Sequence, residues 1–352
     1  MMGTIVGAQR LAFVLMWTSI ALAATMAVAV AAERAAVALQ EVRRRRAERR
    51  YKPLLKRAFD ERDEVAVRDL ARSPSRHRLA IARMMIEPLI EDRDPERIVR
   101  TRAIVDSMQL IPIADRYLRS WWWWRRAIAL RALGLVQVRD RTAAMVAALD
   151  DRSPDVRAAA LDALADLRDP ASLLAVVVRL HDASLARGRR AAALAAFGSG
   201  CEPFLLELAH FDAQHRVNYA RALAICGTAR SRPALTRWAE DSPADVRAAA
   251  LEALAHVGLD DDAARIAIAA LESTDAAVRT MAAAALRGWD GAGDAASQLA
   301  RHLDDAWPVA IRAARSLQST AAGLLELQAC TSRSDMAGLL ARQMLWQGAA
   351  QW

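Results

Sequence analysis

The stretch "VRAAALDAL", Val156–Leu164, decides the fold because it recurs as "VRAAALEAL" at Val246–Leu254 and as "VRTMAAAAL" at Val278–Leu286. Within each copy the apolar residues fall on one face of a helix, and a second apolar helix follows, as in "ASLLAVVVRL" at Ala171–Leu180. Neither helix can bury its apolar stripe alone, so successive pairs must stack on one another. With weaker copies included, the motif occurs seven times, and the last residues of successive copies are 26 to 33 residues apart. These last residues are Leu133, Leu164, Phe197, Leu223, Leu254, Leu286 and Leu317.

Composition supports an all-α protein, and the charge distribution argues against nucleic acid. Hydrophobic residues make up 54% of the chain and aromatic residues only 5%, with alanine and leucine, both strong helix formers, in excess. A net charge of +8 would usually suggest a nucleic-acid partner, but residues 1–52 carry +6 of it and leave only +2 for the rest. The sequence has three cysteines and no C-x-x-C motif, so we interpret the cysteines as buried apolar residues and not as a disulfide or metal site. They are Cys201, Cys226 and Cys330.

The N-terminal region indicates a membrane anchor. After a short segment, 1–10, residues 11–32 carry no charge and as a helix would span about 33 Å, enough to cross a bilayer. The basic segment 33–52 follows as a juxtamembrane helix, which places the N-terminus outside and the solenoid in the cytoplasm, at a bacterial inner membrane. A signal peptide whose cleavage leaves a periplasmic protein is the alternative. Six arginines of this segment are expected to contact anionic lipid: Arg43, Arg44, Arg45, Arg46, Arg49 and Arg50.

Each unit also repeats an arginine at the start of its first helix, after an acidic and proline-containing turn such as "DDRSPDV", Asp150–Val156. Stacked units can align each arginine with an acidic turn residue of the neighbouring unit. The pattern therefore predicts a structural ladder in preference to a ligand site. Its members are Arg126, Arg157, Arg190, Arg216, Arg247 and Arg279.

The signature D-x-x-V-R-x-x-A-x-x-A-L resembles the HEAT-repeat family, in particular the short bacterial HEAT-like units also found in phycobilisome lyases. The resemblance covers residues 113–320 and implies a right-handed α-solenoid, a fold used mostly for scaffolds and binding surfaces. Residues 53–112 are expected to form degenerate helical repeats, and 321–352 to form C-terminal capping helices. Four prolines should divide the degenerate repeats: Pro74, Pro88, Pro95 and Pro112.

The most unusual stretch is "RSWWWWRR", Arg119–Arg126. No proline follows Pro112 in this region, so we expect one continuous helix, in which four adjacent indoles sweep about 300° and cannot all be buried. One or two should fill the core, while the others should lie exposed beside Arg119 and Arg125 and bind a membrane or a membrane-embedded protein. Packing alone and a soluble partner are the alternatives. The residues concerned are Trp121, Trp122, Trp123 and Trp124.

The sequence contains no recognisable catalytic, cofactor-binding or metal-binding motif. The histidines of "HFDAQH", His210–His215, are five residues apart and do not share a helical face, and "LDDDAAR", Leu259–Arg265, is typical of a helix N-cap. We therefore expect no cofactor and no small-molecule ligand, and a non-enzymatic membrane-anchored scaffold for proteins. By family resemblance its setting would be an exopolysaccharide synthesis complex with a membrane glycosyltransferase. The alternatives are a phycobilisome-lyase-like chromophore lyase or chaperone, and a HEAT-like DNA-binding protein.

Overall fold

The computed structural model is entirely helical in the residues it describes, and no strand occurs among them. It divides into two compact units, Met1–Arg116 and Tyr117–Trp352. The described residues are 25–27, 33–34, 42, 45–240, 243–291 and 294–349.

The first unit is a small helical assembly. Helix α1 comprises residues 45–60. Asp63 caps the helix that begins at Glu64, and Asp94 caps the helix that begins at Pro95. Each carboxylate accepts hydrogen bonds from free backbone N–H groups. The helices that follow α1 are α2 Glu64–Ala71, α3 Ser75–Glu91, α4 Pro95–Ser107 and α5 Ile111–Leu118, which begins in this unit. Helix α4 packs against α2 and α3.

The second unit is the α-solenoid, built of helix pairs in which several second members begin or end in a 3₁₀ turn. Its helices are α6 Trp123–Leu135, α7 Thr142–Ala147, α8 Pro154–Leu167, α9 Leu173–Val178, α10 Arg187–Phe197, α11 Glu202–Phe211, α12 Arg216–Cys226, α13 Arg232–Glu240, α14 Ala244–Val257, α15 Asp261–Ala270, α16 Ala276–Ala285, α17 Ala295–Arg301, α18 Trp307–Leu317, α19 Ala321–Cys330 and α20 Met336–Ala349.

The solenoid helices form two rows. In the first row α6, α8, α10, α12, α14, α16, α18 and α20 pack in succession, each against the next. Helices of the second row pack against the first-row helix that follows them, as α13 does on α14 and α19 on α20. The helices thus bury apolar residues against neighbouring helices of both rows, which is the packing that the repeat predicts. The right-handed sense of the stack stays a prediction.

Small residues set the close spacing of the first row. Ala159, Ala160 and Ala163 of α8 are fully buried, and Gly134 of α6 lies directly against Ala163. A Cβ atom placed on Gly134 would stand 2.4 Å from the Cα atom of Ala163. The abundance of alanine therefore allows helix backbones to approach closely, with leucines filling the space between the rows.

Two local predictions are wrong. Pro88 does not divide the degenerate repeats but lies inside α3, where only one further turn follows it before Glu91. The continuous helix predicted through the tryptophan run is broken after Leu118, and α6 begins only at Trp123. The prediction for Asp260 is correct, since its carboxylate caps α15 by accepting from the Ala263 N–H.

The predicted transmembrane helix at 11–32 lies outside the described residues, apart from positions 25–27. Within the described part, one stretch, Arg187–Phe211, is long and apolar enough to cross a membrane. That stretch consists of α10 and α11, which pack against α8 and α12 as ordinary members of the solenoid. Core helices of a soluble domain have the same length and composition, so this stretch is weak support for a membrane span.

Candidate functional site

The break before α6 is held by the first arginine of the ladder. The Arg126 guanidinium donates hydrogen bonds to the carbonyl oxygens of Ser120 (2.8 Å) and Trp121 (3.0 Å), groups that a continuous helix would use internally. The Ser120 hydroxyl accepts a further bond from the Trp122 N–H. These bonds turn the chain and place Trp122 at the N-cap of α6.

All four tryptophans of the run are exposed. Their exposed fractions are 77% for Trp121, 56% for Trp122, 48% for Trp123 and 41% for Trp124. The prediction that one or two would fill the core is therefore wrong, because the turn lifts the first two indoles away from the helix. Ile128, one helical turn beyond Trp124, is also 53% exposed and extends the apolar surface.

Arginines flank these indoles and stack on them. The Arg152 guanidinium carbon lies 4.5 Å from the centre of the Trp121 ring, and that of Arg125 lies 5.0 Å from the Trp124 ring. Arg152 also donates to the Trp121 carbonyl, and Arg119 is exposed in the turn. We define the tryptophan surface as Trp121–Trp124 with Arg119, Arg125 and Arg152.

Three ladder arginines bind the acidic residue of the next unit. Arg126 holds both carboxylate oxygens of Asp151 at 2.7 Å, and Arg279 holds those of Asp305 at 2.7 and 2.8 Å. Arg157 bonds to Asp182 at 3.1 Å. Arg279 holds the pKa of the Asp305 carboxyl well below its usual range. The hydrogen bond from Arg126 lowers the pKa of Asp151 against the effect of burial. For Asp182 the pKa is lowered chiefly by the Ser184 hydroxyl and further by Arg157.

Each of these arginines also donates hydrogen bonds to backbone carbonyl oxygens of the loop that precedes its own helix. Arg157 donates to the Asp151 carbonyl, while the Asp151 carboxylate accepts from Arg126, so one loop is clamped from both sides. Arg279 similarly donates to the carbonyl oxygens of Ser273 and Thr274. The guanidinium donors are therefore used within the protein, as a structural ladder requires.

The remaining ladder arginines bond differently. Arg190 donates to the Leu180 carbonyl and makes no ion pair among the described residues. Arg247 donates to the Ser273 hydroxyl at 2.7 Å. Arg216 lies 5.7 Å from the Trp238 ring, and the acidic residue of its next loop, at position 241, lies outside the described residues.

The basic segment is described in part. Arg43 and Arg44 lie outside the described residues, whereas the remaining four arginines are exposed on α1. Their spacing of i, i+1, i+4 and i+5 places them within one arc of the helix, opposite the buried Ala47 and Tyr51. Helix α1 thus has one basic and one buried face. The four are Arg45, Arg46, Arg49 and Arg50.

Sequence reasoning missed two groups of residues. Arg152 was not assigned, although it stands one repeat after Trp121 in the same loop position, and this register was a usable signal. It also missed a cluster in which His181, Asp212 and His215 bring three ligand atoms within 4.8 Å of one another. Comparing His210 with His215 along one stretch gave no sign of His181, which comes from the preceding repeat.

Comparison with known proteins identifies the repeats. Residues 112–197 and 202–287 match the family described as HEAT repeats. No curated protein matches the chain.

Three solved structures are similar to the chain at low sequence identity and low TM-score. An engineered protein of the Northeast Structural Genomics Consortium is 20% identical, with 86% of this chain and 98% of that chain covered and a TM-score of 0.36. Human deoxyhypusine hydroxylase in complex with glycerol is 18% identical, with 85% and 99% covered and a TM-score of 0.29. Kap121p is 12% identical, with 83% and 44% covered and a TM-score of 0.38.

The period near 31 residues, the two rows of helices and the family match agree with one another. The chain is a HEAT-repeat protein, and its second unit is a HEAT-repeat solenoid of the kind that serves as a protein-interaction scaffold.

Proposed function

We propose that the protein is a non-enzymatic scaffold that holds partner proteins at a bacterial inner membrane, and that the tryptophan surface is its partner contact. The observation that carries this proposal is the exposure of four consecutive indoles, none below 41%, in one short stretch of the described chain. Such patches mark interaction sites in soluble proteins, and tryptophan with arginine is the pair most enriched among residues that dominate binding energy.

The tryptophan surface is also held rigidly. The Trp121 carbonyl accepts hydrogen bonds from both Arg126 and Arg152, and arginines stack on the Trp121 and Trp124 rings. A partner would therefore lose little conformational entropy on docking, because the turn and the ring positions exist before binding. The ladder arginines Arg126, Arg157 and Arg279, by contrast, donate hydrogen bonds inside the protein and are poor candidates for the contact.

Membrane attachment is the second part of the proposal. Residues 11–32 supply an uncharged segment of sufficient length, and α1 carries four exposed arginines on one arc that can approach anionic headgroups. In this arrangement the N-terminus lies outside and the solenoid lies in the cytoplasm. Cleavage after residue 32, leaving a periplasmic solenoid, is the alternative that a reporter fused after Trp352 would distinguish.

A membrane-embedded protein is the partner class that this arrangement favours, since a tethered solenoid meets such proteins at high local concentration. A membrane glycosyltransferase of an exopolysaccharide synthesis complex is one protein of that class, and it enters by family resemblance alone. The basic face of α1 would then contact lipid while the tryptophan surface contacts protein.

The test is recovery of partners with the full-length protein purified from native membranes in detergent. Replacing Trp121 and Trp122 together by alanine should reduce recovery of a specific partner at least about tenfold, since two such anchors are each worth about 2 kcal/mol. The melting temperature should change little, because both side chains are more than half exposed. Trp346→Ala is the matched control, with a tryptophan 72% exposed in α20.

Unchanged recovery by the double variant would refute the tryptophan surface as the contact. If the double variant lost both partner recovery and thermal stability, the result would support packing as the role of the tryptophans.

A further inference from the structure

Three side chains with metal-ligating atoms meet where two consecutive repeats join. His181 ends the 3₁₀ turn Arg179–His181 that follows α9, and Asp212 and His215 lie in the segment that leads into α12. The ligand atoms of these three residues lie within 4.8 Å of one another, although 31 residues of chain separate the first from the second. All three side chains are partly accessible, so an ion could reach them from solvent.

Two of the three distances between ligand atoms are close to those that one ion requires, and the third lies within 4.8 Å. Asp212 Oδ2 lies 2.8 Å from His215 Nδ1 and 3.9 Å from His181 Nε2. A zinc ion with bonds of about 2.0–2.1 Å to nitrogen and oxygen in tetrahedral geometry holds its ligand atoms about 3.3 Å apart. Side-chain shifts of about 1 Å or less at Asp212 would therefore bring these pairs to the required spacing.

The two imidazole rings come from consecutive repeats and lie beside each other, with centres 4.0 Å apart and planes inclined by 34°. Two of the three ligand groups therefore meet directly across the junction.

The surrounding residues orient the group. The Asn218 side-chain nitrogen lies 3.0 Å from His181 Nδ1, on the side of the ring away from Nε2, and helps to hold the orientation of the ring. The Tyr219 hydroxyl lies 2.9 Å from His181 Nε2 and 3.2 Å from Asp212 Oδ2. This hydroxyl stands beside the space between the ligand atoms, where a fourth ligand would be needed.

Asp212 is also available because the ladder does not use it. Among the described residues Arg190 makes no ion pair: one of its terminal nitrogens donates to the Leu180 carbonyl, and its Nε is buried without a hydrogen-bond partner. At the corresponding junctions Asp151 and Asp305 are each held by an arginine of the preceding unit. Among the described residues, the junction before α12 thus lacks the arginine–aspartate ion pair that is present before α8, α10 and α18.

From this geometry we propose that His181, Asp212 and His215 bind one divalent ion of the zinc class, with water or the Tyr219 hydroxyl as the fourth ligand. Two imidazole nitrogens and one carboxylate form a donor set that zinc accepts, and an ion bound to both segments would cross-link two consecutive repeats. The site would therefore stabilise the solenoid at the one described junction where a ladder arginine bonds only to a backbone carbonyl.

The experiment titrates Zn²⁺ into the metal-free full-length protein, in detergent and without a polyhistidine tag, by calorimetry. We expect one Zn²⁺ per chain, a higher melting temperature with Zn²⁺, and visible absorption of tetrahedral type with Co²⁺. Asp212→Asn and His215→Ala should each weaken binding by at least about tenfold, the loss typical of even an outer residue of a zinc site. Melting curves of both variants in chelator establish that they fold.

Two further variants separate a metal site from a hydrogen-bond network. Tyr219→Phe removes the hydroxyl bonds but none of the three ligands, so it should retain one-to-one binding of Zn²⁺. His256→Ala, at an exposed histidine outside the cluster, should bind like the unchanged protein. Absence of Zn²⁺ binding, or equal binding by Asp212→Asn and the unchanged protein, would overturn the proposal and leave a hydrogen-bond network between repeats.

Discussion

Removing one arginine of the ladder should lower the free energy of unfolding of the solenoid by several times more than removing an exposed ion pair. Arg279→Met keeps the apolar stem of the side chain and deletes the guanidinium. That group donates two bonds to the Asp305 carboxylate, at 2.7 and 2.8 Å, and two to the carbonyl oxygens of Ser273 and Thr274. The perturbation therefore removes four hydrogen bonds and one charge from one junction.

The magnitude follows from the burial of the pair. The side chains of Arg279 and Asp305 are 18% and 15% exposed, so their attraction is screened less than that of a surface pair. Breaking a fully buried pair costs about 3–5 kcal/mol, and the residual exposure here reduces that to about 2–4 kcal/mol. Asp305 keeps a hydrogen bond from the Ala306 N–H, which limits the cost of the charge left behind.

The assay is urea unfolding followed by helical circular dichroism, with hydrogen exchange to locate the loosened junction. Arg265→Met is the matched control, because the Arg265 guanidinium is 72% exposed and pairs with Asp262 on its own helix, an interaction worth about 1 kcal/mol or less. Exchange should increase around residues 273–305 only in Arg279→Met. Equal destabilisation by the two variants, or unchanged exchange near Asp305, would refute the ladder as a structural device.

Three further predictions concern packing and pH. Gly134→Ala should destabilise the solenoid by about 1–3 kcal/mol, because its Cβ would overlap the Ala163 backbone, whereas Gly188→Ala, with open space around it, should leave thermal unfolding unchanged or slightly raised. Burial raises the pKa of the Tyr219 hydroxyl to about 12. The stability that this proton contributes is therefore present below about pH 10 and lost as the pH rises toward 12. An absorbance titration should show one tyrosine that ionises at unusually high pH, and this step should be absent in Tyr219→Phe. The lowered pKa of Asp305 gives stability that is present above about pH 4 and is lost as the pH falls through the folded-state pKa. In Arg279→Met, the urea concentration at the unfolding midpoint should therefore fall less steeply as the pH is lowered.

The repeat and its helices could be predicted from the sequence because the information is local. Apolar residues spaced along one helical face, as in Val156–Leu164, fix where each helix lies and which face it buries. The ladder was predictable for a similar reason, since Arg126 and Asp151 keep the same register as Arg157 and Asp182 one unit later.

The turn before α6 could not be predicted from propensity. Nothing in the sequence near Ser120 breaks a helix, and the turn exists because Arg126 reaches back to two carbonyl oxygens and simultaneously binds Asp151. Tertiary hydrogen bonds of this kind override local preference. The sequence predicted that two or three of the four indoles would be exposed, and the exposure of all four was missed together with the turn.

The histidine cluster was also beyond the repeat pattern. His181 lies nine residues before the ladder arginine of its unit, whereas His215 lies one residue before Arg216, so the two occupy different register positions. Their contact depends on how the loops of adjacent repeats fold across the junction. Only the three-dimensional structure gives that information.

The most direct test of the scaffold is site-specific photocrosslinking in intact cells. A photoreactive phenylalanine analogue placed at position 121 or 122 samples the tryptophan surface, and the same residue at position 346 samples an equally exposed site elsewhere. We predict a discrete light-dependent adduct with one membrane protein from positions 121 and 122 and none from 346. No adduct at 121 or 122, or the same adducts from all three positions, would contradict the account.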